Sequence, residues 1–267
     1  VSNSKIKTAF TGFAGIVIPV LFIAAISIFF FVLGNPENFQ GKNPANHPLP
    51  GNYLGVVYKG GMIVPILLTL LMMVLTFSIE RFITISKAKG KGSINSFVAK
   101  VHAKIAQEDL DTAVDECDKQ RGSVANVIRS GILKYKEMVS DRVLNRDQKV
   151  LAIKAEIEEA TSLELPMLEQ NLVIIATISS VATLMGLLGT VIGMIKAFSA
   201  LATAGAPDAV ALANGISEAL INTALGIGTS ALAIIFYNYF TTKIDKITYS
   251  IDEAGVAIVQ NFAAHHN

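Results

Sequence analysis

The sequence predicts an all-α, polytopic membrane protein with four transmembrane helices, its long helices extending into a cytoplasmic helical domain. Three observations predict this. Hydrophobic residues make up 52% of the 267-residue chain and charged residues only 16%. Four runs stay apolar for the roughly 20 residues that a helix needs to cross a bilayer. The lysines outside these runs gather on one side, as expected if positive charge stays in the cytoplasm. None of the runs shows the ten-residue alternation of a membrane β-barrel.

Residues 1–8 carry Lys5 and Lys7 and read as a cytoplasmic N-terminus. Residues 9–33 read as an extra N-terminal transmembrane helix. The run is too long for the apolar core of a secretory signal, and the stretch from Phe31 to Pro36 is a poor small-residue cleavage site, so the helix is expected to be retained. Residues 34–60 are rich in Pro, Gly and Asn and read as an irregular periplasmic loop. Residues 61–82 form the second transmembrane helix, followed by Lys87, Lys89 and Lys91.

Residues 83–170 change character and read as the cytoplasmic helical domain. Val98, Val101 and Ile105, then Leu110, Val114 and Cys117, recur at three- and four-residue steps, an amphipathic helical pattern. Gly122 reads as a helix stop and Ser123 as the next N-cap. Val124, Val127, Ile128 and Ile132 restart the pattern. The acids Glu156, Glu158, Glu159, Glu164 and Glu169 read as a solvated helix face. No histidine lies near them to complete a metal site. This segment is expected to run straight into the third transmembrane helix, 171–199, with Pro166 marking a kink or restart. A periplasmic loop, 200–212, has no Lys or Arg. The fourth transmembrane helix, 213–241, is followed by Lys243 and Lys246. Residues 242–267 read as a cytoplasmic C-terminal helix. Its Ile244, Ile247, Ile251, Ala254, Ile258 and Phe262 are expected to pack on the long cytoplasmic helix.

Several function classes are disfavoured. A net charge of +1 gives no argument for nucleic-acid binding. There is no Ser/His/Asp set, no phosphate-binding Gly loop and no HExxH, so an enzyme is not expected, and neither is a cofactor or metal. The single cysteine, Cys117, cannot form an internal disulfide. His265 and His266 read as a disordered tail or cloning remnant rather than ligands.

Glu218 is the residue that points to function. It lies in 215–240, a stretch otherwise uncharged and long enough to cross a membrane. A carboxylate there must be protonated, paired or facing water, because charge in hydrocarbon costs several kcal/mol. Beside it runs a stripe of small residues: Gly215, Ala219, Thr223, Gly226, Ser230 and Ala233. The third span carries its own: Ala176, Ser179, Thr183, Gly186, Thr190, Gly193 and Ala197. Such stripes permit close helix packing. They also form a pore wall if the hydroxyls of Thr183, Thr190, Thr223 and Ser230 face water. Asn222 falls within about 40° of Glu218 and Thr229 within about 20° at 100° per residue, a neighbourhood in which the acid can be hydrated.

Taken together, these residues carry a resemblance. Gly186-Leu187-Leu188-Gly189-Thr190, then Gly215-Ile216-Ser217-Glu218-Ala219-Leu220, then Thr223-Ala224-Leu225-Gly226 and Tyr237-Asn238 resemble the MotA/TolQ/ExbB proton channel family. Cys117 with the segment 122–131 resembles its cytoplasmic hairpin, and Ile79-Glu80-Arg81-Phe82 the end of its first helix. The resemblance covers roughly residues 61–245. It implies an ExbB- or TolQ-type subunit of the bacterial inner membrane. Such subunits assemble as a homo-oligomeric ring, commonly a pentamer, around the single spans of an ExbD- or TolR-type partner, and energise TonB or TolA. A flagellar stator and a passive membrane scaffold are the other classes. By position in the motifs, Thr190 and Thr223 would line the pore and Glu218 would be the acid of the same ion pathway. Thr183 and Asn222 are placed beside that path. Gly186, Gly189, Gly193 and Gly226 are expected at helix packing. Thr183, Asn214 and Leu232 stand where relatives often have Pro, so these helices are expected to be straighter or differently kinked.

Overall fold

The computed structural model describes residues 2–202 and 208–266, with side-chain surroundings from residue 13 onward. The all-α expectation holds: the described residues form helices and turns, with one isolated bridge between Phe39 and Pro48. In chain order the helices are α1 (Ser2–Ser27), α2 (Tyr53–Tyr58), α3 (Val64–Ala88), α4 (Ile94–Ala106), α5 (Leu110–Gln120), α6 (Ser123–Ser140), α7 (Arg146–Glu169), α8 (Leu172–Leu201) and α9 (Ala209–His265). Four stretches are long and apolar enough to cross a membrane; they start at Phe13, Gly61, Arg146 and Ala209. The side chains of Lys5 and Lys7, and residues 203–207 of the expected 200–212 loop, lie outside the described residues; α8 runs to Leu201 and α9 starts at Ala209, so the flanks of that expected loop are helical. The fourth span and the C-terminal helix are one continuous helix, α9.

The chain divides into two compact units. The first comprises residues 1–78 and 174–237. Here α1 ends in a wider π-helical turn, Ile28–Leu33, where Gly34 N–H reaches back to Phe29 O at 2.9 Å. The segment expected to be an irregular loop is more ordered than its composition suggests. Asn38 Nδ2 donates to Val32 O at 2.8 Å and Leu33 O at 3.0 Å, satisfying carbonyls that the helix end leaves without partners. Asn38 Oδ1 accepts from Asn52 Nδ2 at 3.0 Å, and Asn52 Oδ1 caps α2 through Gly55 N–H. Tyr58 stacks on Phe29 with ring centroids 4.7 Å apart, beside a small core of Phe29, Leu33 and Val64.

The second unit comprises residues 79–173 and 238–267. The amphipathic pattern read from sequence buries Val98, Val101, Ile105, Cys117, Val124, Val127, Ile128 and Ile132. Helix α6 starts at Ser123, but its N-cap is Gly122, with φ 88°, and no side chain caps it. The glycine is needed because a Cβ there would lie 2.5 Å from Ala88 O. The expected cap thus gives way to a close backbone crossing with the end of α3.

The C-terminal part of α9 packs on α6 as well as on α7. Ile157 of α7 lies against Gly131 of α6 and Gly255 of α9. Tyr135 O–H donates to Asn261 Oδ1 at 2.9 Å, Arg146 bonds to Ala263 O, and Phe262 meets the Tyr135 ring edge-on at 4.9 Å. Burying aromatic rings of this size contributes about 1.5–3 kcal/mol each. The reading of His266 as a disordered tail is corrected: its Nε2 is 3.2 Å from Tyr135 Oη and its ring tilts against Phe262.

Of the kink or restart expected near Pro166, the structure has a restart a few residues later. α7 stops at Glu169 and α8 starts at Leu172, with buried Asn171 at φ 62° between them. Pro166 lies within the last turn of α7. Arg81, fully buried, donates to Met167 O and Leu168 O at 3.1 Å each and pairs with Glu80. Glu80 in turn accepts from Asn171 Nδ2 at 3.2 Å and Thr84 Oγ1 at 3.0 Å. The orphan carbonyls at the end of α7 are therefore satisfied by a side chain from α3.

Candidate functional site

The site lies in the first unit, where α8 meets the first half of α9. The two small-residue stripes face one another. A Cβ at Gly186 would lie 3.0 Å from Asn222 O, one at Gly226 2.6 Å from Ala182 O, and one at Gly193 2.6 Å from Ala219 N. Gly189 lies under the Asn222 side chain. At Gly186, Gly193 and Gly226 the facing backbones come closer than a side chain would allow, and Gly189 makes room for the Asn222 side chain.

Thr190 and Thr223 meet across this seam. Their hydroxyls hydrogen-bond to each other. Each also reaches the carbonyl four residues back on its own helix, Gly186 O at 3.2 Å and Ala219 O at 3.1 Å. Two hydroxyl protons thus serve three bonds, so the pair can trade donor and acceptor roles. Both residues are half-buried, and Thr190 opens onto a groove of about 600 Å³ bordered by Val191, Met194, Ile195 and Phe198 of α8. Thr183, two turns earlier, bonds to Ser179 O at 3.4 Å, a carbonyl that also accepts from Ser230. Its hydroxyl belongs to the seam at a separate level from the Thr190–Thr223 pair.

Glu218 is buried and paired. Lys196 Nζ donates to its two oxygens at 2.6 and 2.8 Å. The Glu218 side chain is 10% exposed and that of Lys196 55%. Of the states open to such a carboxylate (protonated, paired or facing water), the structure has the paired one, an ion pair across the seam. Sequence reasoning missed Lys196, although the signal was available: it is the sole charge between Leu172 and Leu201, as Glu218 is in 215–240. Opposite single charges on two packed spans offset the cost each would carry in hydrocarbon.

Two glycines bring the chain before α3 onto this pair. Gly61 has φ 73°, and a Cβ there would lie 2.5 Å from Glu218 Oε1. Asn222, fully buried, donates from Nδ2 to Gly60 O at 2.8 Å, while its Oδ1 has no partner among the described residues. Asn222 anchors this turn to α9 rather than solvating the Glu218 carboxylate. Among the described residues no group of three or more His, Cys, Asp or Glu is placed to hold a metal ion. The arrangement offers a hydroxyl pair, a neutralised acid and an unmatched carbonyl within one apolar helix seam.

Comparison with known proteins accords with this geometry. The model of the MotA/TolQ/ExbB proton channel family matches residues 119–253. A putative biopolymer transport protein ExbB-like 3 from Synechocystis is 38% identical over 86 residues, covering 32% of this chain and 41% of that protein. The Tol-Pal system protein TolQ of Pseudomonas aeruginosa is 31% identical over 124 residues, 46% of this chain and 54% of its own length. TolQ of Haemophilus influenzae is 30% identical over 143 residues, 52% and 63% respectively. The chain spans about half the length of these relatives. The family match runs from the end of α5 through the paired threonines, Lys196 and Glu218 into the C-terminal half of α9, and the chain belongs to the MotA/TolQ/ExbB proton channel family.

Proposed function

We propose that this chain is the ring-forming subunit of a proton-driven motor in the bacterial inner membrane, ExbB-like, with its N- and C-termini cytoplasmic. In this reading a homo-oligomeric ring, of which a pentamer is the expected form, encloses an ExbD-like single-span partner and energises TonB-dependent transport. Segments 34–60 and 200–212 face the periplasm, 83–170 and 242–267 the cytoplasm, and 171–199 and 213–241 line the pore. The observation that carries the reading is the Thr190–Thr223 hydroxyl pair on facing stripes, close in sequence to the single charges Lys196 and Glu218.

Protons enter from the periplasm, pass an acid on the partner's helix, and use the two hydroxyls as exchangeable donor and acceptor. Glu218, which precedes Thr223 on a span that starts from the periplasm, serves the same route on the periplasmic side of the hydroxyl pair, with Thr183 and Asn222 as polar neighbours. Each proton crossing 100 mV releases about 2.3 kcal/mol, enough to bias an assembly whose states differ by a few kcal/mol. The test is Glu218→Gln and Thr190→Val in cells assayed for gradient-dependent, TonB-type uptake and in the purified complex assayed for proton flux. The expected result is loss of uptake with assembly retained. Full uptake in Glu218→Gln removes the acid from the mechanism, and unchanged flux in Thr190→Val removes the hydroxyl role.

A TolQ-like subunit acting on TolA is the second reading, favoured by the similarity to two TolQ proteins. Deletion that weakens the envelope while leaving TonB-type uptake intact would select it.

A further inference from the structure

The ion route makes no use of a groove in the second unit, where the ends of two spans meet α4. The groove has a volume of about 1350 Å³ and is bordered by α3, the start of α4 and α9. From α3 it presents Phe82 and, in the turn just past the helix end, Lys89; on α9 it presents Tyr239 and then Lys243 and Lys246. Lys89 follows Phe82 by seven residues and Lys246 follows Tyr239 by seven; the backbone N–H of Lys89 still reaches Ile85 O in the turn that ends α3, so in both places the lysine sits about 10 Å further along than the aromatic ring. Both helices arrive from apolar runs, so each repeats one order: apolar span, exposed aromatic, lysine. Phe82 is 57% exposed and Tyr239 44%, and Lys243 Nζ lies 5.5 Å from the Tyr239 ring centre.

Among the described residues, none of the three ammonium groups is engaged in an ion pair. The acids of the groove stand apart from them. Glu253 lies two turns beyond Lys246, about 10 Å further from the span, and Asp245 lies about 120° round the helix from the Tyr239 face. His102 of α4 completes the polar side. Aromatic rings suit the membrane interface, and basic pockets between membrane helices suit lipid head groups.

We propose that this groove binds an anionic phospholipid, its phosphate held by Lys89, Lys243 and Lys246 and its acyl chain lying along Phe82 and Tyr239. Separation of the aromatic level from the lysine level matches the separation of acyl chain from phosphate. A purely solvated helix face would not repeat that order on two helices.

The test uses the purified native assembly with phosphatidylglycerol, phosphatidylcholine or inorganic phosphate as the probe. Retained lipid is counted by native mass spectrometry, and thermal stability is followed as each probe is added. Each lysine near a head group is worth roughly fivefold in affinity, so the exposed triple variant Lys89→Gln/Lys243→Gln/Lys246→Gln should weaken phosphatidylglycerol binding by roughly a hundredfold while staying folded. Phosphatidylglycerol is expected to be retained and to stabilise the wild type more than phosphatidylcholine does. The proposal is overturned by equal retention of the two lipids, by a triple variant that keeps the preference, or by equal stabilisation from inorganic phosphate alone. A Ser86→Cys variant that cross-links in high yield to a second copy of the chain would also overturn it, because protein would then fill the groove.

Discussion

Replacing Lys196 by Met should damage this protein more than replacing Glu218 by Gln, even though Glu218 is the residue that draws the eye. Breaking a buried ion pair by removing one partner costs about 3–5 kcal/mol, because the other charge is left uncompensated. The pair here is asymmetric: the Glu218 side chain is 10% exposed and that of Lys196 55%. Solvent screening of the half-exposed partner reduces the expected cost of Lys196→Met to about 1–3 kcal/mol. Glu218→Gln keeps an oxygen that accepts from Lys196, and the freed ammonium can swing towards water, so its cost should be about 1 kcal/mol or less. The assay is thermal unfolding of the purified protein in lipid nanodiscs, where a chain of this size shifts by about 2–4 °C per kcal/mol. The double variant Lys196→Met/Glu218→Gln should be more stable than the sum of the single losses predicts, by about 1 kcal/mol or more. Equal losses in the two single variants, or simple additivity in the double one, would refute the reasoning.

Other expectations follow from the same geometry. Gly226→Leu places side-chain atoms against Ala182 O and Gly186, and overpacking of this kind costs about 1–3 kcal/mol; α8 and α9 should separate, read as loss of a cysteine cross-link engineered across the seam. Arg81→Lys should also destabilise, by about 1–3 kcal/mol, because an ammonium lacks the planar fork that reaches two carbonyls and a carboxylate together; normal thermal stability would remove Arg81 as the cap of α7. Burial pushes the Cys117 thiol up to about 12, so only about one thiol in ten thousand is ionised at pH 8 and alkylation should await unfolding. Burial, helped by Glu108, likewise pushes the Tyr135 phenol up to about 12. Both groups release their protons more readily in the unfolded chain, near 8.5 and 10, so the stability they lend is complete below about pH 8.5 and is lost as pH rises towards 12. Cys117→Ala should remove the part of this loss that begins below pH 10 in denaturant titrations.

Much of the molecule was legible in its residues because helices write their faces locally. The three- and four-residue steps of Val98 to Ile105 and of Val124 to Ile132 gave buried faces without reference to any partner. The stripes of small residues were legible too, though their spacing alone left close packing and a pore wall both open. Where local signals failed, a neighbour had intervened. Ser123 looked like an N-cap, but the crossing of α3 at Ala88 O gave that place to Gly122. Pro166 marked a break in the long helix, whereas its form depends on Arg81, which bonds to carbonyls 86 and 87 residues away.

By itself the sequence determined the helical class, the four apolar spans, the charged helical segment between them and the motif residues that carry the family. Tertiary structure alone decided which groups those residues meet. Lys196 and Glu218 are 22 residues apart, and Asn222 and Gly60 are 162 apart. Periodicity reports which face of a helix is buried, but it does not report which turn of a second helix crosses it. In the structure the glycine stripes interlock in a register that brings backbone to backbone and sets the single lysine of one span opposite the single acid of the other.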